Sequence, residues 1–310
     1  MTVRVVSAEV RLGARLRELA RSRELLANLV RTEIKVKYKN SALGIAWTMV
    51  APAITLAIYY FVFGVLLKAG VPDYVIYLAS GLLVWNFFAA SVLTGTGVIV
   101  GRAGIVKKVA FPREILSIAT VGSQAVYVAL QWIVLAALMV VFHHAPDWGA
   151  LPLLVLAAAV ATVFAAALAI LLSAVNVYLR DTQHLIEVLI MAWFWATPVV
   201  YSYWNQLYLN LARSYPGWLW LRYLYLANPM TAVVLSFQRV LYAKTTVVST
   251  TTAYRPGTGA PYHPILQQLP PWPISTYYAL LAVMLIACGA LLLGAIKIFG
   301  RLEGNFAEEL

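Results

Sequence analysis

Six stretches of this chain, at roughly 45–67, 75–100, 114–142, 151–175, 185–204 and 274–299, are long and almost free of charge. A helix rises 1.5 Å per residue and a bilayer offers about 30 Å of hydrocarbon, so about 20 apolar residues make one crossing. The expected fold is therefore an all-α integral membrane protein with six transmembrane helices over 44–310. The fifth stretch is the shortest, and Pro198 interrupts it.

Composition agrees with lipid as the solvent. Of 310 residues 62% are hydrophobic and 11% are charged, at a mean hydropathy of +0.81. A soluble domain usually has about a quarter of its residues charged. The net charge of +11 does not point to nucleic acid, because ten of the 23 Lys and Arg residues precede Ser41 and most others flank apolar stretches. Basic residues placed this way mark the cytoplasmic side. With the N-terminus inside, cytoplasmic segments hold seventeen and outside segments six, five of them in one long segment that the charge rule weighs lightly. Both termini are expected in the cytoplasm. Residues 1–40 carry no apolar run of signal-peptide length, and the single Cys288 lies in an apolar stretch, which leaves no internal disulfide.

The segment 1–43 is expected to end in an amphipathic interfacial helix. Leu26, Val30, Ile34 and Tyr38 recur on one face, and Arg31, Lys35 and Lys39 form a basic ladder on another. Stripes of this kind suit the headgroup layer, or alternatively a partner protein. Between spans five and six, 203–242 mixes aromatic, apolar and polar residues too finely for a crossing. It is expected to form short re-entrant helices on the outer side, which are tolerated where protein or water satisfies the backbone. The stretch 245–273, rich in Thr, Pro and Gly, is expected to be an exposed outer loop.

The chemistry missing from the sequence narrows the function. It has no GxxxxGK[ST] phosphate loop and no HExxH or CxxC pair, so neither a nucleotide nor a metal is expected on this chain. His143 and His144, with only Asp147 near them, are read as a solvated turn. Ion-coupled transporters place ionisable residues near the membrane midplane. Here Glu187 is the clearest ionisable residue in a span, and it lies near a cytoplasmic end. Energy for any transport is thus expected from another subunit.

Four segments carry a family resemblance. They are Lys37-Tyr38-Lys39-Asn40-Ser41 followed by Leu43-Gly44, Trp47 and Pro52; Ile105-Val106-Lys107-Lys108-Val109-Ala110-Phe111-Pro112-Arg113-Glu114-Ile115-Leu116; Asn176-Val177-Tyr178-Leu179-Arg180-Asp181 with Pro198 and Tyr201 downstream; and the tail Arg301 to Leu310, with Asn228-Pro229 fitting as well. In this order they resemble the permease subunits of the O-antigen, teichoic acid and galactan export ABC transporters. The stretch 245–273 looks longer than that family's usual connection.

The resemblance implies a homodimer joined to two ATP-binding subunits that carry the ATP and Mg. It also implies movement of an undecaprenyl-linked glycan from the inner to the outer leaflet of a bacterial plasma membrane. By the same resemblance, the loop 101–114 is a coupling helix, with Lys107, Lys108, Phe111, Pro112, Arg113 and Glu114 meeting the ATPase, and Tyr178, Arg180 and Asp181 form a smaller second coupling element. Charged residues in short loops can make charge-assisted contacts to a soluble partner, and Pro112 would end the coupling helix before the next span. Tyr59, Tyr60, Trp132, Trp193, Phe194 and Trp195 fall near the middle of spans or cluster, and form a candidate substrate path, since aromatic rings offer stacking faces to sugars; ordinary helix packing is the competing role. Trp85, Trp148 and Trp272 fit an interfacial belt. Small residues in span four, and Gly97 with Gly101, suggest close helix approach. Two alternatives stay open: a drug or small-lipid exporter of the same broad fold, and a membrane-embedded glycosyltransferase. The second needs grouped acidic residues, whereas Asp73, Asp147 and Asp181 are scattered.

Overall fold

The computed structural model describes residues 12–39, 44–69, 71–109, 111–249, 252–255 and 260–310. Asn40, Ser41, Leu43 and Ala110 of the motifs above lie outside the described residues. Two short helices, α1 (Leu12–Arg21) and α2 (Arg23–Tyr38), precede α3 (Trp47–Tyr59), which a π-helical turn extends to Leu66. Gly44, at φ +51°, turns the chain between α2 and α3 in the left-handed region that glycine reaches without a Cβ penalty. Then come α4 (Tyr74–Gly101), α5 (Ala103–Val106), α6 (Glu114–Val141), α7 (Leu151–Tyr178) and α8 (Thr182–Trp195). Three short helices, α9 (Leu209–Ser214), α10 (Leu221–Ala227) and α11 (Pro229–Leu241), lead to α12 (Ile274–Leu302) and α13 (Phe306–Glu309).

Among the described residues, five helical runs are long and apolar enough to cross a membrane: Trp47–Leu66, Tyr74–Gly101, Glu114–Val141, Trp148–Tyr178 and Ile274–Asn305. The expected fifth stretch, 185–204, is not one continuous helix. α8 has 14 residues, about 21 Å, which is short of a full crossing. The chain leaves the helix at Ala196 and turns through Pro198, which has no N–H to continue the ladder. The freed backbone carbonyls are taken up from elsewhere. Gln238 Nε2 donates to Pro198 O at 3.2 Å, Tyr74 donates to Val200 O, and Tyr77 donates to Tyr201 O at 2.9 Å. Irregular backbone is stable at such depth where protein groups satisfy it.

α4 is the central helix, with most of its length buried against α6, α7 and α11. Ala157, Ala161, Ala165 and Ala169 form a fully buried ladder on α7. Gly95 of α4 lies opposite, where an added Cβ would come within 2.5 Å of Ala169 Cβ. The close approach expected from small residues is thus real, but Gly95 makes it. At Gly101 an added Cβ would meet nothing within 4 Å, and at Gly97 it would meet only the Gln183 side chain. α11 is almost wholly buried among α4, α7 and α12, with Asn228 capping its N-terminus by accepting from Met230 N–H and Pro229 at its first position.

Helix ends gather at two poles. At one, Asp73, His144, Tyr242 and Lys244 meet. The His144 ring stacks on Tyr242, its Nε2 donates to Tyr242 O at 2.9 Å, and its Nδ1 lies 3.1 Å from Asp73 Oδ2, which also accepts from Lys244. His143 is exposed, as a solvated turn requires, but His144 is buried and that half of the expectation is corrected, because the loops carrying Asp73 and Tyr242 pack against its ring. The stretch expected to be an open loop after 245 is partly folded. β1 (Thr246–Val248) pairs antiparallel with β4 (Ile265–Gln267), and β2 (Ala253–Tyr254) with β3 (Pro261–Tyr262).

Candidate functional site

The other pole holds every residue singled out for coupling. Arg15 of α1 reaches the first residue of α6, Glu114, through two hydrogen bonds, from Nε at 2.7 Å and Nη2 at 2.9 Å. The same guanidinium pairs with Glu303 at the end of α12. Arg113 donates from Nη1 to Glu303 O at 2.7 Å, and Tyr178 donates to Leu302 O at 2.6 Å. Phe306 is buried between Tyr178 and Phe299, with the Arg113 guanidinium 5.9 Å from its ring centre. Burial opposes the Arg15 charge, but its hydrogen bonds to Glu114 and Glu303 outweigh that and hold its pKa above the ordinary value.

The structure therefore divides the expected coupling residues. Glu114 and Pro112 are buried, and Arg113, Phe111 and Tyr178 are half-buried. Glu114, Arg113 and Tyr178 bond to the chain's own α1 and tail. What is left exposed is an apex of Ile105, Lys107, Lys108 and Val109, with Leu179, Arg180 and Asp181 on the second loop. An exposed surface with apolar contacts and two cations suits a soluble partner. Sequence reasoning missed Arg15, Glu303 and Phe306 as the parts that hold this apex; an arginine in an amphipathic segment gives no local sign of its distant carboxylates.

The six aromatic residues do not form one group. Tyr59 stacks on Phe194 at 5.8 Å, Trp195 lies beside Phe63 and Phe194, and Trp85 joins Phe194. Tyr59, Trp85, Phe194 and half-exposed Trp195 line a cavity of about 230 Å³ between α3, α4 and α8. Trp193 points the other way, packed against Phe88 and Phe164. Trp132 packs on Phe237, away from this cavity, and Tyr60 is exposed.

α2 lies along α6. Leu26, Val30, Ile34 and Tyr38 are half-buried, while Arg31, Lys35 and Lys39 are exposed. Glu33 accepts from Arg102 Nη2 at 2.5 Å, and Lys37 Nζ stands 3.9 Å from the Tyr127 ring centre. Burial lowers the Lys37 pKa from its ordinary value, and Glu33 opposes the shift.

Five long apolar helices, with a cluster of charged and aromatic residues at one end, define a multi-pass helical membrane protein. Comparison with known proteins makes the class specific. Residues 24–242 match the family described as ABC-2 type transporter. A Myxococcus xanthus protein named "O-antigen export system permease protein RfbA" is 33% identical over 229 residues, covering 73% of this chain and 83% of that protein. A Klebsiella pneumoniae protein of the same name is 28% identical over 183 residues, covering 58% of this chain and 69% of that one. The chain belongs to the ABC-2 type transporter family.

Proposed function

We propose that this chain is the permease subunit of an ATP-driven exporter that moves a lipid-linked polysaccharide from the cytoplasmic to the outer leaflet of a bacterial inner membrane. The observation that carries this is the similarity to an O-antigen export permease over most of both chains. The glycan is of the undecaprenyl-linked O-antigen, teichoic acid or galactan type. Its hydroxyls would lose their water partners in hydrocarbon, so a hydrated path is needed.

Two copies of the chain assemble with two ATP-binding subunits that supply ATP and Mg. The apex of Ile105, Lys107, Lys108 and Val109 enters a groove on each ATPase, with Leu179, Arg180 and Asp181 as the smaller contact. Arg113, Glu114 and Tyr178 act behind it, passing its movement to α6, α7 and α12 through Arg15, Glu303 and Phe306. The chain passes the membrane six times with both termini cytoplasmic. α8 is a short fifth pass, and α10 and α11 are re-entrant from the outer side. The exposed face of α8, which carries Glu187 and Trp195, together with the apolar face of α3, meets the second copy and borders the path.

The test is affinity purification of the tagged chain from native membranes in mild detergent, with mass spectrometry of what comes with it. An ATP-binding subunit in equal amount is expected. The Lys107→Glu/Lys108→Glu variant should lose most of that subunit while the permease keeps its melting temperature. A chain that purifies without an ATPase, from detergent that preserves other membrane complexes, would end the proposal.

A further inference from the structure

α2, α3, α4 and α6 line a second cavity of about 490 Å³, open to the surface at exposed Lys37. Every wall contributes polar groups: Lys37 from α2, Thr48 and Thr55 from α3, Asn86 from α4, and Gln124 and Gln131 from α6. At its α2 end it continues, past Lys37 and Gln124, into a space of about 250 Å³ that Glu33 and Thr120 border. At the other end Thr55 and Asn86 are shared with the aromatic cavity of Tyr59 and Trp195. The three follow one another along shared lining residues, from the Lys37 end toward the middle of the protein.

Side-chain amides inside membrane spans are costly unless paired. Gln131 Oε1 is buried with no hydrogen-bond partner, and Gln124 Nε2 has a single long contact, 3.4 Å to Thr94. Gln124, Tyr127 and Gln131 fall at spacings of three and four, which puts them on one face of α6. Lys37 is the cation of the groove. Its neighbour Glu33, one turn earlier, is engaged by Arg102. Among the described residues no carboxylate pairs with Lys37, whose ammonium rests on the Tyr127 ring with N–H donors to spare. A cation at the mouth, an aromatic ring beneath it and side-chain amides farther in, one with an unpartnered oxygen, are the complement of a phosphate followed by a sugar.

We propose that this groove binds the phosphate-bearing head of a lipid-linked sugar before transport, with Lys37 on the phosphate and Gln124, Gln131 and Asn86 on the hydroxyls of the first sugar. It is a loading site within one copy of the chain, and its inner end, at Tyr59 and Trp195, opens toward the path between two copies. It rests on the exporter reading above, and it locates where the substrate is first held.

The full-length chain in phosphatidylcholine nanodiscs provides the test. Four probes are titrated by thermophoresis: undecaprenyl diphosphate-linked N-acetylglucosamine, undecaprenyl phosphate, phosphatidylglycerol and inorganic pyrophosphate. The wild type should bind the sugar-bearing lipid most tightly. Lys37→Gln should weaken both undecaprenyl lipids about ten- to a hundredfold, the range of one charge-assisted contact, and Lys37→Arg should restore most of it. Gln131→Leu, which removes an unpaired buried oxygen and so keeps the fold, should weaken the sugar-bearing lipid about tenfold and leave undecaprenyl phosphate unchanged.

Equal binding of phosphatidylglycerol would make the groove an ordinary anionic-lipid site and overturn the proposal. Pyrophosphate binding as tight as that of the lipid-linked sugar would make it a free-phosphate site, with the same consequence. Unchanged affinity in both Lys37→Gln and Gln131→Leu, with the wild type binding well, would overturn the groove and leave the exporter reading standing. A wild type that binds neither undecaprenyl lipid would overturn both.

Discussion

Arg15 holds together three segments that are far apart in sequence, and removing its charge should measure how firmly. Its guanidinium makes two hydrogen bonds to Glu114, which has no exposure to solvent, and pairs with Glu303. Arg15→Met keeps most of the side-chain length but leaves two carboxylates facing each other. Breaking a buried ion pair from one side costs about 3–5 kcal/mol, because the remaining charge stays desolvated. Arg15 and Glu303 are 16% and 23% exposed, so water recovers part of the loss and the lower end, about 3 kcal/mol, applies.

At about 2.1 cal/mol/K per residue over 310 residues, that loss lowers the melting temperature by about 5 °C. Glu114→Gln leaves Arg15 its second partner and should cost about 1.5–3 kcal/mol, the scale of a lost hydrogen bond to a charged group. The double variant Arg15→Met/Glu114→Gln should then be more stable than the sum of the two losses by about 2 kcal/mol. The assay is thermal unfolding of the purified full-length chain and its three variants in one detergent, followed by tryptophan fluorescence. If the two losses add to within about 0.5 kcal/mol, the pair is not coupled, and the reasoning that makes it the clamp joining α1, α6 and the end of α12 is wrong.

The other expectations come from single contacts. Gly95→Ala places a Cβ 2.5 Å from Ala169 Cβ and should destabilise by about 1–2 kcal/mol, overpacking outweighing the gain in helix propensity. Adding Ala169→Gly should recover most of that, and Gly101→Ala should cost nothing; a neutral Gly95→Ala would show that α4 and α7 are not in close contact. At the opposite pole, burial raises the Asp73 pKa, but Lys244 and His144 more than offset it and hold it below its ordinary value. A depressed carboxylate stabilises above its unfolded pKa, and that contribution is lost as pH falls through the folded value, which lies below the ordinary carboxylate range. Asp73→Asn tolerates the φ of +50°. It should speed amide exchange in β1 and β4 at pH 7, and the difference from the wild type should shrink steadily as pH is lowered below the ordinary carboxylate range. A difference that stays the same size down to the pH at which the wild type itself unfolds would exclude the charge as its cause.

The division of labour between sequence and tertiary structure follows from the range of the forces involved. A crossing helix satisfies its own backbone, so an apolar run of sufficient length is enough to specify it. The long helices from α3 to α7, and α12, were legible for that reason. So was the interruption at Pro198, whose missing N–H is a local property. The basic ladder of Arg31, Lys35 and Lys39 was equally local, as helical spacing alone puts those residues on one exposed face. The family was legible in motifs that lie together in the chain.

What the tertiary structure decided depends on partners distant in sequence. The turn after α8 is possible because Tyr74, Tyr77 and Gln238 donate to its carbonyls across 126, 124 and 40 residues. Arg113 and Glu114 read as free charges in a short loop until Arg15, 99 residues before Glu114, and Glu303, 190 after Arg113, turn them inward. Of the aromatic residues, the fold brought Tyr59, Phe194 and Trp195 to one cavity, while the turn of α8 carried Trp193 round to Phe88 and Phe164, and Trp132, on α6, packs on Phe237. Hydrophobicity fixes which residues leave water, and helices from anywhere in the chain can satisfy that demand. Hydrogen bonds and ion pairs need particular partners at about 3 Å, and only the packed arrangement of helices selects them.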